Sequence, residues 1–169
     1  MKIAVSGSGN GKDPSIVEKA KELGREIAKH KHILLTGGCH GYPYSALRGT
    51  LLENGKIIVY SPGKDEEEHI SKYNFPIDEG VEYIYTGLGI PERNIPLVKA
   101  ADVIIILDGK IGTLNEFCIA FHEQKKIGVL KLGKLQELIP KIAEICDKRG
   151  EKENIFYETD PKKLLNSLF

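Results

Sequence analysis

Seven short apolar runs punctuate the chain: KIAVS (2–6), HILLT (32–36), KIIVY (56–60), VEYIYT (81–86), DVIIIL (102–107), KIGVLK (126–131) and NIFYE (154–158). Most are continuous rather than alternating, the pattern of strands covered on both faces. Residues 81–86 alternate in part, which predicts a strand nearer an edge. Helical patterns fill the gaps. In DPSIVEKAKELGREIAKH, Asp13 is a capping residue, Pro14 suits the first helical position, and Ile16, Ala20, Leu23 and Ile27 form one apolar stripe. Further helices are expected over about 45–54, closed by Gly55 as a left-handed cap, and near 94–100, starting around Pro96 because a deeper proline would break it. Others are expected over 113–124 and 134–148, with a last one from Pro161.

This alternation predicts an α/β fold: a doubly wound, mostly parallel, Rossmann-like sheet of about seven strands with right-handed crossovers, in a single domain over 1–169. One stretch fits no ordinary connection. SPGKDEEEHISKYNFPIDEG (61–80) is too long, so it is either a mobile flap or a short extra helix. Its acidic DEEE reads as a solvated helix start rather than a metal site.

Composition narrows the picture. Lys plus Arg and Asp plus Glu are 24 each, for a formal charge of zero. That balance argues against nucleic acid or a membrane surface as partner, since both usually select a basic excess. It also leaves self-association open. No apolar run approaches a membrane span. Three widely spaced cysteines, Cys39, Cys118 and Cys146, form no disulfide framework. Together with a first strand that begins at once, they lead to the expectation of a cytoplasmic protein without a leader.

Four glycine-bearing loops follow strands, where ligands bind in open α/β sheets. SGSGNGK (6–12) offers Gly7 and Ser8 to a phosphate, or is merely a tight turn; it matches neither a Walker A loop nor GxGxxG. TGGCHG (36–41) presents Gly37, Gly38 and Gly41 ahead of a helix, with no acid at the strand end to hold a ribose. TGLGIPERN (86–94) sets Arg93, a planar fork of donors, beside Asn94. DGKIGTLNE (108–116) carries Lys110, Gly112, Thr113 and Glu116. Its T-x-x-E is a capping box, in which Thr113 and Glu116 each bond the other's backbone N–H. On that reading Glu116 is a solvated residue opposite its helix's apolar stripe of Leu114, Phe117, Cys118 and Phe121.

The motifs GGCHG, ERN and DGKIGTLNE in combination resemble the LOG-like ("lysine decarboxylase-like") Rossmann family, whose pattern is GGxxG, an arginine heading a helix, and PGGxGTxxE. The resemblance covers about residues 1–131 and lies nearest the branch of molybdenum-cofactor carrier relatives. It implies a homodimer with a nucleoside 5′-monophosphate site and, in active members, hydrolysis of the N-glycosidic bond, with Arg93 and Glu116 as catalytic residues. It implies no resident cofactor and no lysine decarboxylation. Asp108 and Lys110 replace the motif's proline and second glycine. Lys110 either pairs with a phosphate or is neutralised by Asp108. The competing class is a non-catalytic carrier or sensor of a phosphorylated ligand such as a pterin cofactor.

Other residues carry less. Cys118 and His122, or Cys39 and His40, suggest a soft metal, but Cys118 reads as a core residue and no metal site is expected. His30, His32 and His69 read as surface residues. Tyr42 and Tyr44 either stack on a base or cover the start of a helix. The tail beyond 148 either finishes the sheet edge or packs on a partner chain.

Overall fold

The computed structural model describes all of residues 1–169. Seven parallel strands form one sheet: β1 (Lys2–Ser6), β2 (Ile33–Thr36), β3 (Lys56–Ser61), β4 (Glu82–Tyr85), β5 (Val103–Ile106), β6 (Lys126–Leu130) and β7 (Ile155–Glu158). Their order across the sheet is β4-β3-β2-β1-β5-β6-β7. The chain winds outward from β1 to the β4 edge, returns to β5 beside β1, and winds out the other way. The switch point therefore lies between β1 and β5, where Ser6 is paired with Ile106.

The continuous apolar runs have a simple cause. Ile3, Val5, Leu34, Val103 and Ile105 face one layer, while Ala4, Leu35, Ile104 and Ile106 face the other, and both layers are buried. Helices α1 (Pro14–Lys29), α2 (Gly41–Leu52) and α7 (Pro161–Leu168) contribute to the first; α4 (Gly89–Ala100), α5 (Ile111–His122) and α6 (Leu135–Cys146) contribute to the second. β4 is an edge strand, as its partial alternation predicts, and the C-terminal β7 completes the opposite edge.

Helix ends differ from expectation in several places. α1 begins at Pro14 under an Asp13 cap, as predicted. α2 begins at Gly41 rather than Ser45, because Pro43 falls in its first turn, where an N–H has no helical partner anyway. At its far end Asn54, not Gly55, takes the left-handed conformation, with φ 53°. α4 starts at Gly89 and runs through Pro96; the helix continues past the one bond this proline forgoes. The long insert is ordered around α3 (Glu66–Ser71), whose start is capped by Asp65. Cys118 is exposed on α5 rather than buried, because the face toward the core carries Phe117, Ala120 and Phe121.

Candidate functional site

At the carboxyl ends of β1 and β5 the structure holds a cleft of about 390 Å³. Every predicted loop reaches it, but not every predicted residue does. Gly7, Ser8, Gly37, Arg93, Lys110, Gly112, Thr113 and Glu116 line it. Gly38 and Gly41 do not; they take φ of 79° and 71°, and a side chain on Gly41 would collide with the Ser8 carbonyl.

The floor is an ionic pair. Arg93, on α4, sends Nη1 to Oε1 of Glu116, on α5, at 3.4 Å. Ser6, ending β1, donates its hydroxyl to the other carboxylate oxygen. Arg93 and Glu116 are 4% and 7% exposed. Gly37 is required where it stands, because a Cβ there would meet the Arg93 guanidinium. Burial pushes the Glu116 carboxyl above the ordinary carboxylate range, against the pull of Arg93 and the Ser6 hydrogen bond. The Arg93 Nε has no hydrogen-bond partner, although it is buried. Beside the pair, Asn94 donates from Nδ2 to Asn115 at 2.8 Å.

This arrangement overturns the capping box. The N-cap of α5 is Lys110, three residues earlier than the motif requires, so Thr113 lies inside the first turn and is buried. Glu116 then points across to β1 and α4 instead of back along its own helix. The first backbone bond at this end runs from Leu114 N–H to the Lys110 carbonyl, and Lys110 supplies no side-chain cap. The N–H groups of Ile111, Gly112 and Thr113 precede the helical ladder, at the positive end of the helix dipole.

Asp108 does not line the cleft and forms no salt bridge with Lys110. Its carboxylate accepts from Leu135 N–H at 3.2 Å, stabilising the start of α6. Its carbonyl accepts from Ser8 N–H at 2.8 Å, which joins the first loop to the fourth. That bond takes up the Ser8 amide, and the Ser8 carbonyl in turn accepts from Tyr42 N–H and Gly11 N–H.

The structure decides between the two readings of Tyr42 and Tyr44 and corrects that of His69. Tyr42 is buried beneath the first loop, where Gly11 lies against its ring, so it is a support and not a stacking platform. Tyr44 turns its hydroxyl to Asp78 at 3.3 Å. His69 is fully buried rather than a surface residue, bonded through Nδ1 to Ser61 Oγ at 2.8 Å and through Nε2 to the Pro76 carbonyl at 3.0 Å. Burial lowers its pKa, which favours the neutral ring. Cys39 lines the cleft with its thiol pushed up to about 11 by burial, so it is protonated at neutral pH and not a ready nucleophile.

The sequence missed one wall of the cleft altogether. Tyr73, Asn74 and Phe75 come from the insert and close one side. The signal was present as an aromatic pair flanking a turn-prone asparagine, but nothing local says that this stretch folds back over the β1–β5 crevice.

Known proteins share the fold of this chain. A solved molybdenum cofactor binding protein from Rippkaea orientalis is 29% identical, superposes with a TM-score of 0.79, and is matched over 99% of this chain and 96% of its own. The Moco carrier protein from Chlamydomonas reinhardtii is 26% identical with a TM-score of 0.75, over 99% and 98% of the two chains. An uncharacterised protein of Archaeoglobus fulgidus is 29% identical over 131 residues, 78% of this chain and 80% of that protein. The model of the SLOG cluster4 family matches residues 1–165. On that match, which extends past the three motifs to take in β7 and the first part of α7, the chain belongs to the SLOG cluster4 family.

Proposed function

We propose that the protein binds a phosphorylated small molecule in the β1–β5 cleft and carries it without converting it. The observation that carries this reading is the start of α5: an uncapped helix end opening on a cleft, with Lys110 at its rim. A phosphate fits there through the Ile111–Thr113 amides and the helix dipole, with Lys110 as a point charge. Likeness to proteins that bind the molybdenum cofactor supports a phosphorylated pterin as the cargo. The carrier reading also accords with Glu116, whose carboxylate is engaged by both Ser6 and Arg93.

A second reading rests on the same pair. A carboxylate and a guanidinium at the floor of a nucleotide-sized cleft are the groups needed to stabilise an oxocarbenium-like ribose and to orient water in N-glycosidic hydrolysis. On that reading Glu116 and Arg93 are catalytic and the substrate is a nucleoside 5′-monophosphate.

Mass spectrometry of the ligand retained by freshly purified protein, beside a base-release assay on a panel of nucleoside monophosphates, separates the two. A retained phosphorylated compound with no base released supports the carrier. Steady release of base supports the hydrolase. A protein that retains nothing and binds no added phosphate compound refutes both.

A homodimer in the cytoplasm completes the proposal. Zero formal charge and the exposed Ile95 and Ile111, on α4 and α5, suit self-association. Three free thiols suit a reducing compartment. No helix is long and apolar enough to cross a membrane. Light scattering of the eluted protein at twice the 18.7 kDa chain mass is the expected result; a monomer at working concentration refutes the dimer.

A further inference from the structure

We infer that Tyr73 and Phe75 form a fixed wall that selects ligands carrying a flat heteroaromatic ring together with their phosphate. The inference rests on the proposed phosphate position at α5 and adds the other half of the ligand to it.

The cleft is chemically divided. Gly7, Gly37, Gly112 and Thr113 give it a side of backbone and small polar groups, whereas Tyr73 and Phe75 give it an aromatic one. Their ring centroids are 5.8 Å apart with planes tilted by 37°. Both are only partly buried, so they retain ring surface for a partner. Asn74 separates them with φ 52°, a left-handed turn that asparagine tolerates better than most residues.

The wall is built in rather than hung as a flap. Behind it, Phe75 packs edge-on against the buried His69 at 5.5 Å, and the Phe75 N–H donates to the His69 carbonyl at 3.1 Å. His69 in turn bonds Ser61, at the end of β3, and Pro76. In front, His40 Nε2 reaches the Asn74 carbonyl at 2.8 Å, linking the wall to the GGCHG loop. Farther along, Arg48 holds Asp78 at 2.7 Å. Anchors on both sides place the rings before a ligand arrives, so little ordering is needed on binding. Stacking on one such ring strengthens binding by roughly five- to a hundredfold.

The test is calorimetric titration of the ligand-free protein with AMP and neopterin monophosphate, with ribose 5-phosphate as the ring-free phosphate, and with adenosine and neopterin as phosphate-free rings. The expected result is that at least one ring-bearing phosphate binds about tenfold or more tighter than ribose 5-phosphate. In Tyr73→Leu/Phe75→Leu, which keeps apolar bulk against His69, that advantage is expected to vanish while ribose 5-phosphate affinity stays within about twofold. A single Tyr73→Leu, whose ring lies farther from the His69 anchor, guards against a folding defect and is expected to lose part of the advantage. Equal binding of ring-bearing and ring-free phosphates by the wild type, or an undiminished advantage in the double variant, overturns the wall and leaves the phosphate site standing. Binding of the phosphate-free rings as tightly as their phosphates overturns the phosphate site and leaves the wall standing. Binding of none of the five overturns both.

Discussion

Two sets of helix starts divide this molecule. α1, α3 and α7 each begin under an aspartate, Asp13, Asp65 and Asp160, whose carboxylate accepts from first-turn N–H groups. α2, α4 and α5 begin just after His40, Leu88 and Lys110, none of which caps through its side chain. The uncapped set brings Pro43, Arg93 and Thr113 to the cleft; no member of the capped set lines it. α6 sharpens the contrast. It follows β6, next to the β5–α5 unit, yet Asp108 from the preceding unit supplies the acceptor for its Leu135 N–H. The acid that replaces the family motif's proline thus serves the neighbouring helix and leaves the start of α5 open. Where amides have no internal acceptor and the dipole is positive, an external anion is favoured.

The largest expected effect falls on the ion pair that the uncapped helices place at the cleft floor. Glu116→Ala leaves the Arg93 charge buried and unpaired, a loss of about 3–5 kcal/mol that chemical denaturation should register. An unchanged denaturation midpoint would mean that the pair is not buried as described.

Next comes a direct attempt to convert one class of helix into the other. Lys110→Asp gives α5 the cap it lacks. Thermal stability should hold or rise by about 0.5–1 kcal/mol, whereas phosphate affinity should fall tenfold or more, since a carboxylate would occupy the anion position. If titration finds affinity unchanged, the uncapped start is not where the anion lies. The control from the capped class is Asp13→Ala, expected to lower stability by about 0.5–2 kcal/mol without touching ligand affinity.

The smallest effect is a slope. Burial raises the Glu116 carboxyl above its ordinary 4.5, so its contribution to stability is present below that value and declines as pH rises through the folded value. Glu116→Gln cannot ionise. Melting curves over a pH series should therefore show the variant gaining on the wild type as pH increases; parallel curves would mean that Glu116 titrates as an ordinary carboxylate.

Much of this was legible along the chain, and the exceptions share a cause. The seven strands, the edge position of 81–86 and the Asp13–Pro14 start depend on neighbours within a few residues, which a sequence displays. The capping box failed for a tertiary reason. Thr113-x-x-Glu116 satisfies the local rule, but the helix extends back to Ile111, and Glu116 finds better partners in Ser6 and Arg93, which lie 110 and 23 residues away. His69 and Cys118 exchanged their expected places for the same reason: burial depends on what packs opposite, and no spacing within one helix records that.

By itself, then, the sequence determined the strand and helix periods, the parallel sheet they require, and the three motifs whose loops must lie at one end of it. These follow from backbone geometry and apolar patterning, which act over short distances. Only the tertiary structure decided which polar groups remain without an internal partner, that Asp108 turns to α6, and that Tyr73 and Phe75 stand over the crevice. Hydrogen-bond satisfaction and burial are settled among all the groups that meet in space, and most of those meetings join residues far apart in the chain.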